Sequence, residues 1–169
     1  MSFVTAGETR VPRTKLQQRV LDEFQMVNTE ELFAEGKNVF FTLPGAFTPT
    51  CSTRQLPRYD ELFEEFASKG VKNIYCFSVN DGFVMNAWAN DLNIRNVKLV
   101  ADGNGDFAKS LGILVDKTNV GFGARAWRCA AVVEDGVITQ WYQEPGISQN
   151  HKDDPYKVSN PENVLSNLE

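Results

Sequence analysis

The sequence predicts an α/β fold built on a mixed sheet, and three observations predict it. Short apolar runs rich in β-formers, at 38–43, 73–79 and 97–100, are separated by segments whose apolar residues recur at three and four. A hairpin signal then follows, Asp135-Gly136 between runs at 127–134 and 137–142. No repeat, low-complexity block or linker breaks the 169 residues, so the expected organisation is one domain over 1–169.

Residues 1–25 are mixed and polar, with Val11-Pro12 favouring extended backbone. Asn28-Thr29-Glu30-Glu31 reads as an Asn cap with Glu three residues on, opening a helix that Gly36 would stop. Residues 38–43 form a buried strand ended by Pro44-Gly45. A second helix starts near Thr48-Pro49 and carries Leu56, Tyr59, Leu62, Phe63 and Phe66 as far as Gly70, with Pro57 kinking it. After the strand at 73–79, Asn80-Asp81 caps a helix carrying Val84, Trp88 and Leu92. A strand at 97–100, a brief helix at 107–111 and the hairpin follow. Residues 143–160 are polar loop, and 161–168 form a terminal helix with Pro161 in its first turn.

Composition excludes several functions. With 17 Lys+Arg against 22 Asp+Glu the formal charge is −5, and no basic run supplies a footprint for nucleic acid or an anionic membrane. No apolar stretch approaches the ~18 residues of a membrane span, and the first residues lack the apolar core of a secretory signal. Three cysteines, Cys51, Cys76 and Cys129, are too few and too odd in number for a disulfide framework, which points to a reducing, cytoplasmic setting. A single histidine, His151, argues against a zinc site of His and Cys ligands.

The segment Pro44-Gly-Ala-Phe-Thr-Pro-Thr-Cys51-Ser52 lies between a buried strand and a helix, where α/β folds place ligands. Thr48 reads as the cap, Pro49 as the first helical residue, and Cys51 falls in the first turn. There, unpaired N–H groups and the helix dipole favour a thiolate. Arg54 stands three residues on where a dithiol reductase would have a second cysteine. A Cys–His pair would need the lone His151, in a polar tail, to fold back over Cys51, which is not expected; with no histidine base, the available activators are the helix end and the arginines Arg125 and Arg128 of Gly121-Phe-Gly-Ala-Arg-Ala-Trp-Arg128. Each arginine also reads as an ordinary ion-pair residue. Gly103-Asn-Gly105 and Gly121-Phe-Gly123 imitate a dinucleotide fingerprint, but neither sits in a βαβ unit. Asp102, Asn104 and Asp106 imitate a calcium loop until Phe107 occupies the position that needs glycine.

The Pro44–Ser52 string resembles the peroxidatic motif of type II atypical peroxiredoxins, the peroxiredoxin 5 class. The likeness runs in order through Leu56-Pro57, Ser78-Val-Asn-Asp81, Ala101-Asp-Gly-Asn-Gly105, Gly121-Phe-Gly and Asp135-Gly136, covering about 38–142. It is greatest to the peroxiredoxin half of bacterial peroxiredoxin–glutaredoxin hybrids, although no glutaredoxin domain follows Glu169. The resemblance implies a thioredoxin-like fold and thiol-dependent reduction of hydrogen peroxide and organic hydroperoxides, without metal or bound organic cofactor. By it, Cys51 is the peroxidatic cysteine, Thr48 hydrogen-bonds the peroxide, and Pro44 and Pro49 frame the pocket. Arg128 matches the active-site arginine, and Arg125 a second basic position. Some relatives have a resolving cysteine where Cys76 stands; mid-strand in an apolar run, it also reads as a small buried hydrophobe. Strand alternation turns Cys129 away from Arg128, into packing. The implied partners are glutathione and glutaredoxin, or thioredoxin, and a second copy meeting the peroxidatic-helix face through Phe47 and Phe83. A sensor or chaperone-like binder using the same thiol without turnover is the alternative.

Overall fold

The computed structural model describes residues 2–169, with the backbone alone at Cys51 and Ser52. Its centre is a five-stranded sheet of β3 (Lys37–Leu43), β4 (Val71–Ser78), β5 (Lys98–Ala101), β8 (Cys129–Glu134) and β9 (Val137–Gln143), in the order β5-β4-β3-β8-β9. β3, β4 and β5 run parallel, whereas β8 is antiparallel to β3 and β9 to β8, so the sheet is mixed as expected. From Asn38 to Leu43 the central strand β3 is buried throughout, because both faces of the sheet are covered.

Strand alternation divides the core in two. Val39, Phe41 and Leu43 of β3, Ile74 and Cys76 of β4, and Ala130 and Val132 of β8 pack with Leu56, Tyr59, Phe66, Trp88 and Val164. Phe40, Tyr75, Phe77, Cys129, Ala131 and Val133 face the other way, against Phe33, Phe107 and Trp127. Phe41 and Tyr59 stack with ring centroids 4.1 Å apart, fixing one helix over the sheet centre.

Helix starts agree closely with the capping signals. The short α1 (Thr29–Leu32) begins where the Asn28 side chain accepts from the Glu30 amide at 2.9 Å. α4 (Gly82–Asp91) begins where the Asp81 carboxylate accepts from Val84 N–H at 2.9 Å. α6 (Pro161–Ser166) is capped by Asn160 and carries its proline in the first turn. The β8–β9 turn has Asp135 at φ +48° and Gly136 at φ +86°, two adjacent left-handed residues of the kind a two-residue hairpin needs.

Four expectations need correction. The stretch 1–25, read as mixed and polar without an element, holds most of a hairpin, β1 (Lys15–Val20) and β2 (Glu23–Asn28), outside the main sheet. The kinked helix expected from Thr48 to Gly70 is in three pieces. A π-helical segment, Cys51–Gln55, precedes α2 (Leu56–Glu61), and α3 (Phe63–Ser68) follows a second break at Leu62. Pro57 has no N–H for the Thr53 carbonyl and its ring crowds that oxygen, and the wider turn stands just before it. The strand expected from Trp127 starts at Cys129, after a separate short pairing of β6 (Leu114–Asp116) with β7 (Ala124–Ala126). Finally, residues 106–110 rather than 107–111 form α5 (Asp106–Ser110).

Asp102 links β5 to α5. Its carboxylate accepts from Phe107 N–H at 3.0 Å and Ala108 N–H at 2.9 Å. Burial nevertheless lifts its pKa from 3.8 to about 6, outweighing these two donors. The folded carboxyl thus holds its proton more tightly than the unfolded one. Its contribution to stability is complete below about 3.8 and is lost as pH rises through about 6. Urea unfolding of the parent and of Asp102→Asn should therefore show a stability difference that shrinks across that window in favour of the variant. A difference independent of pH would refute the assignment.

Candidate active site

The loop after β3 is built under constraint. Arg125 of β7 donates through Nη1 to the Pro44 carbonyl at 3.0 Å and through Nε to Phe122 O at 3.1 Å. A Cβ at Gly45 would lie 2.2 Å from Arg125 Nη1, so a side chain there would push the guanidinium off the Pro44 carbonyl. Phe47 is held at φ +64°, an unfavourable conformation for a large residue. Ala46 N–H donates to Asn80 Oδ1 at 3.0 Å, tying the loop to the end of β4. Thr48 Oγ1 donates to the Gly45 carbonyl at 2.8 Å, and helical backbone begins at Pro49, with Cys51 opening the π segment two residues later.

Arg128 is the second structural centre. It stands in the break between β7 and β8, where the Thr42 hydroxyl donates to Trp127 O at 2.6 Å and accepts from Cys129 N–H at 3.1 Å. Those bonds hold the chain on both sides of the arginine. Its side chain is 1% exposed. Nη1 donates to Gln55 Oε1 at 2.8 Å, Nη2 to Asp154 Oδ1 at 2.5 Å, and Nε to Pro155 O at 3.2 Å. Tyr156 presents its ring 5.5 Å from the guanidinium carbon. Burial pushes the Tyr156 hydroxyl up to about 12, so it stays neutral beside the cation.

The loop bearing Asp154, Pro155 and Tyr156 is organised by the buried Glu144 just after β9. Its carboxylate accepts from the amides of Lys157, Val158 and Ser159 at 2.7–2.9 Å and from the Ser159 hydroxyl at 2.6 Å. Its own N–H donates to Arg128 O at 3.1 Å, and its carbonyl accepts from Trp127 Nε1 at 2.7 Å. Tyr59 of α2 adds a bond to Ser159 O at 2.6 Å.

A cleft of about 260 Å³ is bordered by Pro44, Thr48, Pro49, Phe122, His151 and Asp154. The sequence-predicted residues Pro44, Thr48 and Pro49 therefore share one opening. Arg125 backs the same loop, and Arg128 reaches it through Asp154. The two remaining cysteines sit in opposite cores. Cys76, 0% exposed, pairs in register with Phe41 and Leu99 under the helices. Cys129 is in the other core, and burial raises its thiol far above the ordinary value.

A redoxin family model matches residues 5–165. A peroxiredoxin of Sinorhizobium fredii is 48% identical over 168 residues, covering 94% of this chain and 89% of that protein. The chain belongs to the redoxin family, as a peroxiredoxin. A hybrid peroxiredoxin of Haemophilus influenzae is 44% identical over 159 residues, 94% of this chain and 64% of that one. The antioxidant protein of Plasmodium falciparum, a 1-Cys peroxiredoxin, aligns in its crystal structure with a TM-score of 0.89 at 37% identity, covering 92% of this chain and 94% of that one. The architecture is thus the thioredoxin-like peroxiredoxin fold, a central mixed sheet flanked by helices.

Sequence reasoning missed much of what surrounds the arginines of this peroxiredoxin. Gln55, Asp154, Tyr156 and Glu144 carry no motif, and the last three fall in or beside a stretch read as plain polar loop. His151 was placed in a polar tail, yet it lines the cleft with Thr48 and packs edge-on against Trp127 with centroids 5.3 Å apart. Only the density of Asp, Pro and Tyr at 153–156 hinted at an ordered loop.

Removing the Glu144 carboxylate strands three backbone donors and a hydroxyl. Glu144→Ala should cost ~3 kcal/mol or more in urea unfolding. In the native parent, iodoacetamide should leave Cys129 unmodified and should label it once urea is added, read by peptide mass spectrometry. Native labelling at Cys129 would contradict its burial.

Proposed function

We propose that this peroxiredoxin reduces hydrogen peroxide and organic hydroperoxides through a sulfenic acid on Cys51, and that glutathione and glutaredoxin restore the thiol. The observation that carries the reading is the buried Arg128 guanidinium, fixed to Gln55 one turn after Cys51 in the same helical segment. A permanent cation there favours the thiolate and stabilises charge developing on both peroxide oxygens. The Cys51 thiolate attacks one oxygen, the O–O bond breaks, and the departing alkoxide or hydroxide takes a proton. Cys51 is oxidised by two electrons to the sulfenic acid. Thr48 orients the peroxide, Pro44 and Pro49 shield the opening from water, and Arg125 holds the loop through the Pro44 carbonyl.

The recycling half is a one-cysteine cycle. Cys76 is buried mid-strand, and a disulfide needs Cα atoms within ~7 Å, so joining it to Cys51 would require the first helical turn to unwind. An external thiol fits better, in line with the likeness to hybrid relatives. Phe47 and Phe83, 51% and 57% exposed, suit a homodimer through this face. Among the described residues no helix is long and apolar enough to cross a membrane; the odd, small number of cysteines supports work in a reducing, cytoplasmic compartment.

Cys51→Ser should abolish turnover with unchanged circular dichroism; retained turnover would refute the role. Arg128→Met should lower the second-order rate with peroxide by ~10²-fold or more and move thiolate titration to higher pH. Arg125→Met should lose less; the reverse order would exchange their roles. One equivalent of peroxide followed by glutathione should yield a glutathione adduct on Cys51 by non-reducing mass spectrometry. A Cys51–Cys76 disulfide in high yield would replace this cycle with a two-cysteine one.

A further inference from the structure

A second cleft, of about 380 Å³, lies along the outer side of the same helical segment and is distinct in lining from the opening at Pro44. It is bordered by Arg54, Arg58, Glu61, Tyr156, Asn160 and Glu162 among others. Its volume falls within the ~300–1,000 Å³ of small-molecule sites. The charges in it are unevenly matched. Arg58 serves two carboxylates at once, Glu61 at 3.1 Å and Glu162 at 2.5 Å, which leaves one negative charge over. Arg54, one helical turn earlier, has no carboxylate within ion-pair distance among the described residues. Its guanidinium instead lies 5.0 Å from the Tyr156 ring, the same ring that Arg128 approaches at 5.5 Å.

The lining therefore offers an unmatched cation, Arg54, and, around Arg58, a net negative charge shared by Glu61 and Glu162. The unmatched cation stands three residues after Cys51. Such a surface fits a small zwitterion, with a carboxylate on the Arg54 fork and an ammonium toward Glu61 and Glu162. We propose that this cleft binds the reducing thiol of the cycle as a zwitterionic, carboxylate-bearing thiol of the glutathione kind. The inference rests on the function proposed for Cys51 and names where its reductant docks. In the step served, the thiolate of the bound molecule attacks the sulfenic sulfur of Cys51. An S–S bond forms, the S–O bond breaks, and hydroxide leaves as water after taking one proton. The incoming sulfur is oxidised by one electron equivalent and the Cys51 sulfur reduced by one.

The test separates the docking site from the chemistry. In Arg54→Ala, the reaction of Cys51 with peroxide should be unchanged, while reduction of the sulfenic acid by glutathione should slow about tenfold, the scale of losing one charge-assisted pair. Arg54→Lys should recover part of that rate. Cysteamine, a thiol with an ammonium and no carboxylate, should reduce parent and variant alike. S-methylglutathione, which cannot react, should shift the amide resonances of Thr53, Arg54, Arg58 and Tyr156 in the parent. Equal glutathione rates in parent and Arg54→Ala, or no shift with S-methylglutathione at millimolar concentration, would overturn the cleft and leave the peroxidase reading standing. Failure of peroxide to form any sulfenic acid at Cys51 in the parent would overturn that reading instead, and the S-methylglutathione shifts would still decide the cleft.

Discussion

A buried guanidinium cannot be left without partners, and the burial of Arg128 organises much of the chain around it. Withdrawing a cation from water costs several kcal/mol unless its donors and its charge are met. Here the donors reach two separated parts of the sequence: Gln55 in the π segment, and Asp154 with the neighbouring Pro155 carbonyl. Each of those parts must then be fixed in turn. Glu144 fixes the 157–159 backbone with one carboxylate, and Tyr59 fastens the same loop to α2. The polar loop between β9 and α6 is thereby ordered without any strand or helix of its own. Its order follows from two buried charged groups, the Arg128 guanidinium and the Glu144 carboxylate.

The thiol-bearing segment is shaped by a different constraint, backbone geometry under strain. Two departures from easy conformations crowd into residues 45–57, a left-handed Phe47 and a π segment before Pro57, next to a glycine packed against the Arg125 guanidinium. Such departures persist only where the surroundings over-determine them. Asn80 holds Ala46, Arg125 holds Pro44, and the stacked Phe41–Tyr59 pair holds α2 immediately beyond. A π turn widens the helix by one residue, so side chains after it point elsewhere than on a regular helix. Gln55, at its last position, reaches Arg128 while Leu56 and Tyr59 drop into the core.

How legible this was depended on the range of the interactions. Asn28, Asp81 and Asn160 were readable as caps because a cap is a contact over two or three residues, and Asp135-Gly136 because a turn is local. The strands at 37–43 and 71–78 were readable because their buried stretches, 39–43 and 74–78, leave nearly continuous apolar runs. The β1–β2 hairpin was not: only Leu16 and Gln18 of β1 are buried, β2 is mostly exposed, and its turn puts Leu21 rather than glycine or asparagine at φ +56°. Pro57 announced a disturbance but not its form, since a kink and a π segment relieve the same clash. The partners of Arg128 stood 26 and 73 residues away and were beyond any local pattern. The motif at Pro44–Ser52 was legible through resemblance more than through physics, for the residues that support it are scattered.

The three thiols illustrate how burial divides labour in a chain of this chemistry. An oxidant that attacks thiolates attacks whichever sulfur ionises and is reached, so selectivity requires the others to fail on at least one count. Cys129 fails on both. It is sealed among aromatic and aliphatic side chains on one side of the sheet, and desolvation holds its proton far above neutral pH even with the Thr42 hydroxyl beside it. Cys76 is sealed on the opposite side beneath Tyr59 and its neighbours, fully out of reach. Strand alternation alone sends these two residues to different cores. The sheet thus buries Cys76 and Cys129 in two packed cores, and the function proposed above assigns the reaction to the remaining thiol, Cys51.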